Sequence, residues 1–430
     1  MNIAIIGAGF TGLQAAYTLQ KKGHHVFLFE KDAKPGGLAI GFHVPSWKWT
    51  LEKHYHHWFA NDDDILNLAR DINYPVEIRR PVTSVFVASH MYQLDSPTKV
   101  LTFPLLSIKD RLRMAFALSL LRFSPYSKFL EKHKASDVLP RLMGKKAYSM
   151  LWEPQLTNKF SKYKDEISLA WFWARIKQRT AKLCYPKGGF LRFTEALEEK
   201  LKQKGAVFFY NTNVSRIKEH KGKLTLMIEN KRGKKVYHNS FDKILVTLPA
   251  KAFTTIAEDL PREYIDRVTS LQSLGAINLV IRLSKPFFQD KTYWLSVCDR
   301  SSPLMAIVEH TNFMDKTYYN NEHVIYVGNY LPLHHRFFSY SPEKLLHEYD
   351  PFLQKINKEY RQHIIGTHMF QAPFAQPIIP INYSKKIPPF TTPLRNVYLA
   401  NMQQVYPWDR GTNYAVALGK KVATLIEKES

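Results

Sequence analysis

The sequence predicts an α/β fold with a discontinuous first domain, a second domain built on a mixed sheet, and a helical insert. Three observations carry this prediction: a strand-turn-helix-strand unit at the N-terminus, a glycine doublet soon after it, and another strand-loop-helix unit near the C-terminus. Units of this kind build a sheet that is covered by helices. The predicted boundaries are 1–74, 185–250 and 390–430 for the first domain, 75–106 and 251–389 for the second, and 107–184 for the insert.

The N-terminal unit runs from an apolar strand at residues 3–6 to a second strand that ends in Glu30. The turn between them reads Gly7, Ala8, Gly9, Phe10, Thr11, Gly12. Gly7 permits the tight turn, Gly9 lets phosphates approach the backbone, and Gly12 lets the helix pack close to the strand. With the positive end of the helix dipole beside them, these residues predict a Rossmann-like dinucleotide site. Glu30 lies where such sites place an acid for a ribose hydroxyl, which argues against a 2′-phosphate.

The composition limits the classes of partner. The 430-residue chain has a net charge of +24, and Cys184 and Cys298 are its two cysteines. The basic surface favours anionic partners such as acidic lipid headgroups or phosphorylated substrates. Nucleic acid is not expected, because the basic residues are spread along the chain without a recognisable nucleic-acid module. Two cysteines give neither a disulfide framework nor metal-ligand spacing, so we predict no metal site and infer a reducing compartment.

Residues 107–133 predict an apolar helix with basic ends that is too short to cross a bilayer. Two interpretations stay open: the helix lies in a membrane interface with its arginines on anionic headgroups, or it is buried in a helical subdomain.

The N-terminus enters a core strand directly and shows no signal sequence. We therefore expect a cytoplasmic protein that can contact the inner face of a membrane peripherally. The sequence leaves its oligomeric state open.

Local patterns predict several further elements. Residues 75–105 are expected to form short strands, the last of them through Val100, Leu101 and Phe103. Helices are expected over residues 135–180, where the aromatic residues 171–173 are interpreted as core. Residues 231–235 predict a basic hairpin turn that is exposed to solvent.

The doublet Gly36 and Gly37 follows the acidic strand end and Lys31, so the backbone there approaches something bulky. Together with the first motif, it resembles FAD-dependent oxidoreductases, the group of flavin amine oxidases, protoporphyrinogen oxidases and phytoene-type desaturases. That family usually has an arginine directly after the doublet, whereas this chain has Leu38. The resemblance implies FAD as the cofactor.

The segment 396–414 completes the resemblance with a second strand-loop-helix unit, whose helix N-terminus suits the ribityl chain and the electron-rich edge of a reduced flavin. The family normally has Gly-Asp where this chain has Ala400 and Asn401, and asparagine can still accept a bond from a ribityl hydroxyl. Neither cysteine lies in this segment, so the FAD is expected to be non-covalent. The resemblance implies contacts of the cofactor with Gly7, Gly9, Phe10, Thr11, Gly12, Glu30, Lys31, Gly36, Gly37, Leu38, Asn401, Met402, Arg410, Gly411, Thr412 and the backbone of Val214.

The segment 51–59 contains two adjacent histidines, His56 and His57. In the resembling families this segment passes beside the flavin ring, so these histidines are the candidate catalytic residues. A structural role is the alternative, because one of two adjacent side chains in an alternating strand points away from the site.

The predicted function is FAD-dependent oxidation by removal of a hydride from an apolar, amphiphilic or amine substrate. One alternative is an isomerase similar to sugar-nucleotide mutases, which uses the same glycine-doublet fold and reduced flavin. The other is a non-catalytic flavoprotein that associates with a membrane or a partner through residues 107–133.

Overall fold

A computed structural model describes residues 1–220, 222–230 and 235–429. The basic turn that was expected at 231–235 lies outside these residues except for Lys235, which begins a strand.

In chain order the strands are β1 (Asn2–Ile6), β2 (His25–Phe29), β3 (Gly41–Phe42), β4 (Leu51–Glu52), β5 (Trp58–Phe59), β6 (Val76–Arg79), β7 (Val82–Val87), β8 (His90–Gln93), β9 (Leu183–Pro186), β10 (Val207–Phe209), β11 (Thr212–His220), β12 (Lys223–Asn230), β13 (Lys235–Phe241), β14 (Lys243–Val246), β15 (Ser273–Leu283), β16 (Thr292–Val297), β17 (Ala306–Glu309), β18 (His323–Leu331), β19 (Ile364–Pro377) and β20 (Val397–Leu399). The α-helices are α1 (Phe10–Lys21), α2 (Asp63–Asp71), α3 (Pro97–Leu101), α4 (Ile108–Phe123), α5 (Lys128–Lys132), α6 (Ala135–Met143), α7 (Lys145–Ala147), α8 (Glu153–Phe160), α9 (Leu169–Gln178), α10 (Phe190–Gln203), α11 (Ala250–Ile256), α12 (Arg262–Thr269), α13 (Pro342–Ile356) and α14 (Thr412–Lys428).

The first sheet is parallel and has the strand order β10-β2-β1-β14-β20. Side chains of β1 alternate between its two faces, as the period of a strand requires. Ile3 and Ile5 pack with α1, α10 and α14, whereas Ala4 and Ile6 pack with α11 and the antiparallel sheet β11-β12-β13. Because all five strands run in one direction, the residues that follow β1, β2, β14 and β20 meet at one sheet edge.

The second sheet is mixed and has the order β19-β15-β18-β17-β16-β7-β8. Its neighbouring strands are antiparallel except for β16 and β7, which pair in parallel. In β15, Ile277, Leu279 and Ile281 pack in the same cluster as residues of α13. The opposite face is directed towards α8, α9 and the segment that follows β4.

Helices α4 to α9 form a layer around buried residues of α9, which include Trp171, Phe172 and Trp173. These aromatic residues are therefore core, as the sequence predicted. The strand expected through Val100, Leu101 and Phe103 is wrong, because Val100 and Leu101 belong to the helix α3. Ser96 accepts a hydrogen bond from Lys99 N, and Pro97 occupies the first helical position, so capping overrides the apolar strand pattern there.

None of the helices among the described residues is long and apolar enough to span a bilayer. The predicted domain boundaries place the parallel sheet, the mixed sheet and the helical layer in separate units, and we retain these boundaries as a proposal.

Candidate functional site

The two predicted glycine segments lie against each other at the edge of the parallel sheet. A Cβ built on Gly37 would lie 3.1 Å from the Cα of Gly9, and Gly37 has a φ of +57°, a region that favours glycine. Gly36 N also donates to the carbonyl of Ala8 at 3.0 Å. Gly9 is the N-cap of α1 and no side chain caps this helix, so its first-turn N–H groups can face an anionic group.

Glu30 directly follows β2 beside this turn and is buried. Its Oε2 accepts a hydrogen bond from Ala8 N at 2.8 Å, and its Oε1 accepts one from Asp32 N at 3.0 Å. Burial raises the pKa of this carboxyl group. Thr212 N donates to the Glu30 carbonyl at 2.9 Å, which places the start of β11, and with it the buried Val214, close to the acid.

The C-terminal segment reaches the same sheet edge from β20. Asn401 is buried, its Oδ1 accepts from Gln403 N at 2.9 Å, and its Nδ2 donates to the Leu248 carbonyl at 3.0 Å. Asn401 N in turn donates to Gln404 Oε1 at 2.8 Å, which closes a capping box. Asn401 therefore holds the turn in place, and its Oδ1 retains a second lone pair for a hydroxyl donor.

The other residues predicted to contact the cofactor differ in burial and in position. The Phe10 side chain stacks on Phe193 with ring centroids 6.0 Å apart, so it belongs to the core, and its backbone alone faces the turn. Lys31 is exposed and Met402 is half-buried. Leu38 lines a small recess together with His56 and Arg410. Gly7, Gly12 and Thr11 pack inside the first turn, while Gly411 precedes α14, which begins at the buried Thr412.

A cavity of about 670 Å³ adjoins the C-terminal loop. Its walls come from the loop 409–414, from α4, α8 and α9 of the helical layer, from the mixed sheet, and from the segment after β4. His56 and His57 both line it. The expectation that one of these histidines would point away is wrong, because residues 53–57 lie between β4 and β5 and do not alternate as a strand does.

Both histidines are held neutral in the cavity wall. His56 Nδ1 donates to the His54 carbonyl at 2.6 Å, which leaves its Nε2 as a hydrogen-bond acceptor. His57 Nδ1 lies 3.1 Å from the Tyr293 hydroxyl. Burial lowers the pKa of His56 to about 4 and that of His57 to about 3, and for His57 the neighbouring Arg179 and Arg175 contribute to the lowering.

The sequence analysis did not predict two basic side chains, Lys159 and Arg175, that line the cavity together with Arg410. Lys159 Nζ lies 5.1 Å from the centre of the Trp171 ring, and Arg175 Cζ lies 5.7 Å from it. Arg410, predicted as a cofactor contact, stands over the ring of Tyr330 and donates to its hydroxyl. No residue spacing in the sequence identifies these basic residues as neighbours, because they come from α8, from α9 and from the C-terminal loop.

Fold and site together define a flavin-dinucleotide protein of the α/β class. The close approach of Gly9 and Gly37, two helix N-termini without side-chain caps and a buried acid at one sheet edge all fit such a ligand. The family model described as flavin containing amine oxidoreductase matches residues 10–426. The chain belongs to this family, which assigns it to the FAD-dependent oxidoreductases.

The chain is also similar to individual proteins, at low sequence identity. The chain is 26% identical over 299 residues to coproporphyrinogen III oxidase of Staphylococcus aureus, and the match covers 59% of this chain and 61% of that protein, less than two thirds of its length. An oxidoreductase of known structure from Methanosarcina mazei is 18% identical, with a TM-score of 0.74 over 99% of this chain and 100% of the other. Reduced UDP-galactopyranose mutase is 16% identical, with a TM-score of 0.76 over 100% and 96%. At these identities the two structures establish the fold alone.

Proposed function

We propose that this protein oxidises an amphiphilic substrate by removal of a hydride inside the 670 Å³ cavity. One observation carries the proposal: this cavity joins the predicted flavin-holding residues Arg410, Gly411 and Thr412 to a largely apolar pocket in the helical layer. Bound FAD supplies the two-electron oxidising chemistry. The protein supplies a largely apolar cavity that positions the substrate.

His56 is the proposed proton acceptor. A substrate that loses a hydride becomes neutral when it also releases a proton from a neighbouring atom. His56 Nε2 can take this proton, because Nδ1 already donates to the His54 carbonyl. The pKa of about 4 keeps Nε2 of His56 unprotonated at neutral pH and makes the ring a weak base. His57 is the second candidate, since its ring also lines the cavity.

The charge of the cavity bears on the choice among the predicted substrates. Burial lowers the pKa of Lys159 well below its usual value, so the positive charge of the cavity wall comes chiefly from arginines, among them Arg175 and Arg410, which stand over aromatic rings. A protonated amine would be repelled by these groups, whereas an amphiphile with a neutral or anionic polar end would not. The cavity therefore favours an amphiphilic substrate over an amine.

A flavin-dependent isomerase acting on a sugar nucleotide is the second candidate. The basic cavity supports it, since a diphosphate would be attracted there, and the fold shared with UDP-galactopyranose mutase is compatible with it. Such an enzyme needs reduced flavin and consumes no electron acceptor, so turnover in the absence of an acceptor distinguishes it from an oxidase.

We also propose that FAD is bound without a covalent link. Both cysteines are buried, Cys184 in β9 and Cys298 directly after β16. Burial raises the pKa of Cys184 to about 11 and that of Cys298 to about 12, so neither thiol is a ready nucleophile. Acid precipitation should release the flavin into the supernatant, and flavin that stays with the precipitate would contradict the proposal.

We further propose that the exposed face of α4 docks on an anionic membrane. Ile108, Leu112, Phe116, Leu120 and Phe123 form one apolar stripe on this helix, and Phe116 and Phe123 are 66% and 79% exposed. The net charge of +24 complements anionic lipid. The same helix also lines the cavity, so an amphiphile could pass from the bilayer into the site. Binding to lipid vesicles tests this proposal.

The main proposal is tested with the purified protein. We expect a visible flavin spectrum, and we expect one class in an anaerobic panel of isoprenoid lipids, porphyrinogens, amines and nucleotide sugars to bleach it. Bleaching by an amphiphile supports the proposed oxidation. A flavin that only dithionite reduces, in a protein that then interconverts a nucleotide sugar, would replace it with the isomerase. Protein that takes up no FAD on reconstitution would overturn both.

A further inference from the structure

The cavity wall gathers more positive charge than the protein itself neutralises. Six basic side chains line the cavity among the described residues, and three aspartates face them. The basic residues are Arg80, Arg122, Lys159, Arg175, Arg179 and Arg410. They divide into two groups according to whether the protein supplies their partners.

Three of the six are engaged by the protein. Arg122 Nη1 donates to the carbonyls of Ile176, Lys177 and Arg179 at 3.2, 2.6 and 2.7 Å, and it thereby closes the C-terminal end of α9. Arg410 donates to Gln376 Oε1 at 2.9 Å and to the Tyr330 hydroxyl. Lys159 Nζ lies 3.9 Å from Asp409 Oδ2. The protein therefore already supplies polar partners for these three side chains.

The other three, Arg80, Arg175 and Arg179, have guanidinium groups with no hydrogen-bond acceptor and no carboxylate within ion-pair distance in the described part of the chain. Arg175 rests against the ring of Trp171. Burial and the charge of Arg175 lower the pKa of Arg179 to about 10, whereas the charge of Asp95 opposes this lowering. Guanidinium groups that repel one another and form no direct ion pair favour a bound anion, which removes that repulsion.

The aspartates of the cavity form no ion pair with these three arginines, although the charge of Asp95 acts on Arg179 and one of its carboxylate oxygens, Oδ1, is buried without a hydrogen-bond partner. Asp95 Oδ2 accepts from Gln93 Nε2 at 2.9 Å and from Thr83 N at 3.4 Å. Asp62 Oδ2 accepts from Phe59 N at 2.8 Å, and burial raises the pKa of this carboxyl to about 7. Asp409 accepts from Trp171 Nε1 at 2.9 Å and lies beside Lys159.

We infer that Arg175 and Arg179, in a cavity that Arg80 also lines, bind an oxyanion of the substrate, either a phosphate or a carboxylate. The inference rests on the proposed function and names the polar end of its substrate. Guanidinium groups match both oxyanions, since two parallel N–H groups can meet two oxygens. Val100, Leu118 and Phe172 line the same cavity and would contact the apolar part of the molecule.

The test measures binding to the FAD-loaded protein, so that the nucleotide site is already filled. Geranyl diphosphate, geranic acid and uncharged geraniol are titrated by calorimetry into the wild-type protein, Arg175→Gln and Arg179→Gln. The first two probes distinguish phosphate from carboxylate. Arg175→Lys and Arg179→Lys keep the charge, and the flavin content of every variant reports folding. Arg141→Gln is the matched control, because Arg141 is exposed on α6 and does not line the cavity.

We expect one of the two charged probes to bind at least about tenfold more tightly than geraniol. Each glutamine variant should lose about tenfold in affinity for that probe, since a hydrogen bond to a charged group is worth about one to two factors of ten. The lysine variants should lose less, and Arg141→Gln should bind as the wild type does. Glutamine variants of normal flavin content that bind the charged probe as tightly as the wild type would overturn the inference. So would a geraniol affinity equal to that of both charged probes.

The experiments distinguish a failure of the oxyanion site from a failure of the proposed oxidation. Oxyanion binding that depends on Arg175 and Arg179, with no substrate that bleaches the flavin, would sustain the subsite and refute the oxidation. Bleaching by an uncharged amphiphile, unaffected by either substitution, would sustain the oxidation and refute the subsite.

Discussion

Gly37 approaches Gly9 so closely that a Cβ on Gly37 would lie 3.1 Å from the Gly9 Cα. These residues belong to segments that are separated by β2, and their contact brings the doublet onto the turn that begins α1. A methyl group at this point would push the two backbones apart at the proposed position of the cofactor. Replacement of Gly37 should therefore affect FAD retention more than it affects folding.

The first prediction compares Gly37→Ala with Gly23→Ala. Both glycines have a positive φ, +57° and +83°, so alanine strains the backbone by on the order of 1 kcal/mol at either position. Gly23 has no heavy atom within 4 Å of its built Cβ. We expect similar losses in the free energy of unfolding, and a loss of bound flavin in Gly37→Ala alone. Equal flavin content in the two purified variants would show that the doublet does not shape the cofactor site.

A second prediction concerns the packing of α14 on α1. A Cβ built on Gly419 would lie 2.4 Å from the carbonyl oxygen of Thr11, a distance that no real contact allows. Gly419→Ala must therefore move α14 away from α1, and both helices begin at residues that are proposed to hold the cofactor. We expect a destabilisation of about 1–3 kcal/mol, as overpacking usually costs, together with weaker FAD binding.

The control for this variant is Gly366→Ala in β19, where the nearest heavy atom to the built Cβ is the end of the Arg282 side chain at 3.5 Å. Thermal unfolding of the apo-protein and FAD titration report stability and binding separately. Wild-type stability in Gly419→Ala would mean that the two helices do not pack as closely as described.

The glycine segments could be predicted from the sequence because their effect is local. Gly9 and Gly37 act through their own backbones, and the strand-turn-helix order around them fixes what they approach. The family model supports the flavin-binding class that these segments implied. Asn401 is likewise placed by a turn whose residues are consecutive in the chain.

The cavity could not be predicted in the same way. Arg175 and Arg179 are two of 61 basic residues in the chain, and helical spacing does not tell which of them face an interior space. Their surroundings are set by contacts between α4, α9 and the mixed sheet, which are distant in sequence. The orientation of the two histidines was predicted wrongly for a different reason: alternation was assumed for a segment whose strand ends at Glu52.

A third prediction follows from the neutral state of His57. Its pKa is about 3 in the folded protein and about 6.5 in an unfolded chain. Between pH 6.5 and pH 3 the unfolded state binds more protons than the folded state, so the free energy of unfolding decreases as the pH falls. Above pH 6.5 His57 is neutral in both states, and this loss is absent. At pH 5 this loss is on the order of 1 to 2 kcal/mol for one such histidine.

The variant His57→Asn removes this titration. We expect the difference in unfolding free energy between pH 7 and pH 5, measured by urea denaturation, to be smaller in His57→Asn than in the wild type. The comparison uses differences between two pH values, so any loss of packing in the variant cancels. An unchanged difference would indicate that His57 already carries a proton in the folded protein at pH 5.

The last prediction tests the membrane proposal with Phe116→Ser and Phe123→Ser. Both side chains are exposed, so the substitutions should change the unfolding free energy by less than about 0.5 kcal/mol. Burial of a phenylalanine in lipid contributes about 1.5–3 kcal/mol, so each serine variant should bind vesicles about tenfold or more weakly. Ile365→Ser in β19 is the matched control, because Ile365 is an exposed apolar residue outside α4.

Sedimentation with phosphatidylglycerol and with phosphatidylcholine vesicles separates the two contributions to binding. Because the protein is strongly basic, we expect tighter binding to the anionic vesicles, and this preference should decline as salt screens the surface charges. The phenylalanine variants should bind both kinds of vesicle more weakly, since the apolar contribution does not depend on headgroup charge. Equal losses in Phe116→Ser and Ile365→Ser would mean that lipid contacts the protein without using the α4 face, and the route from bilayer to cavity would then have to be abandoned.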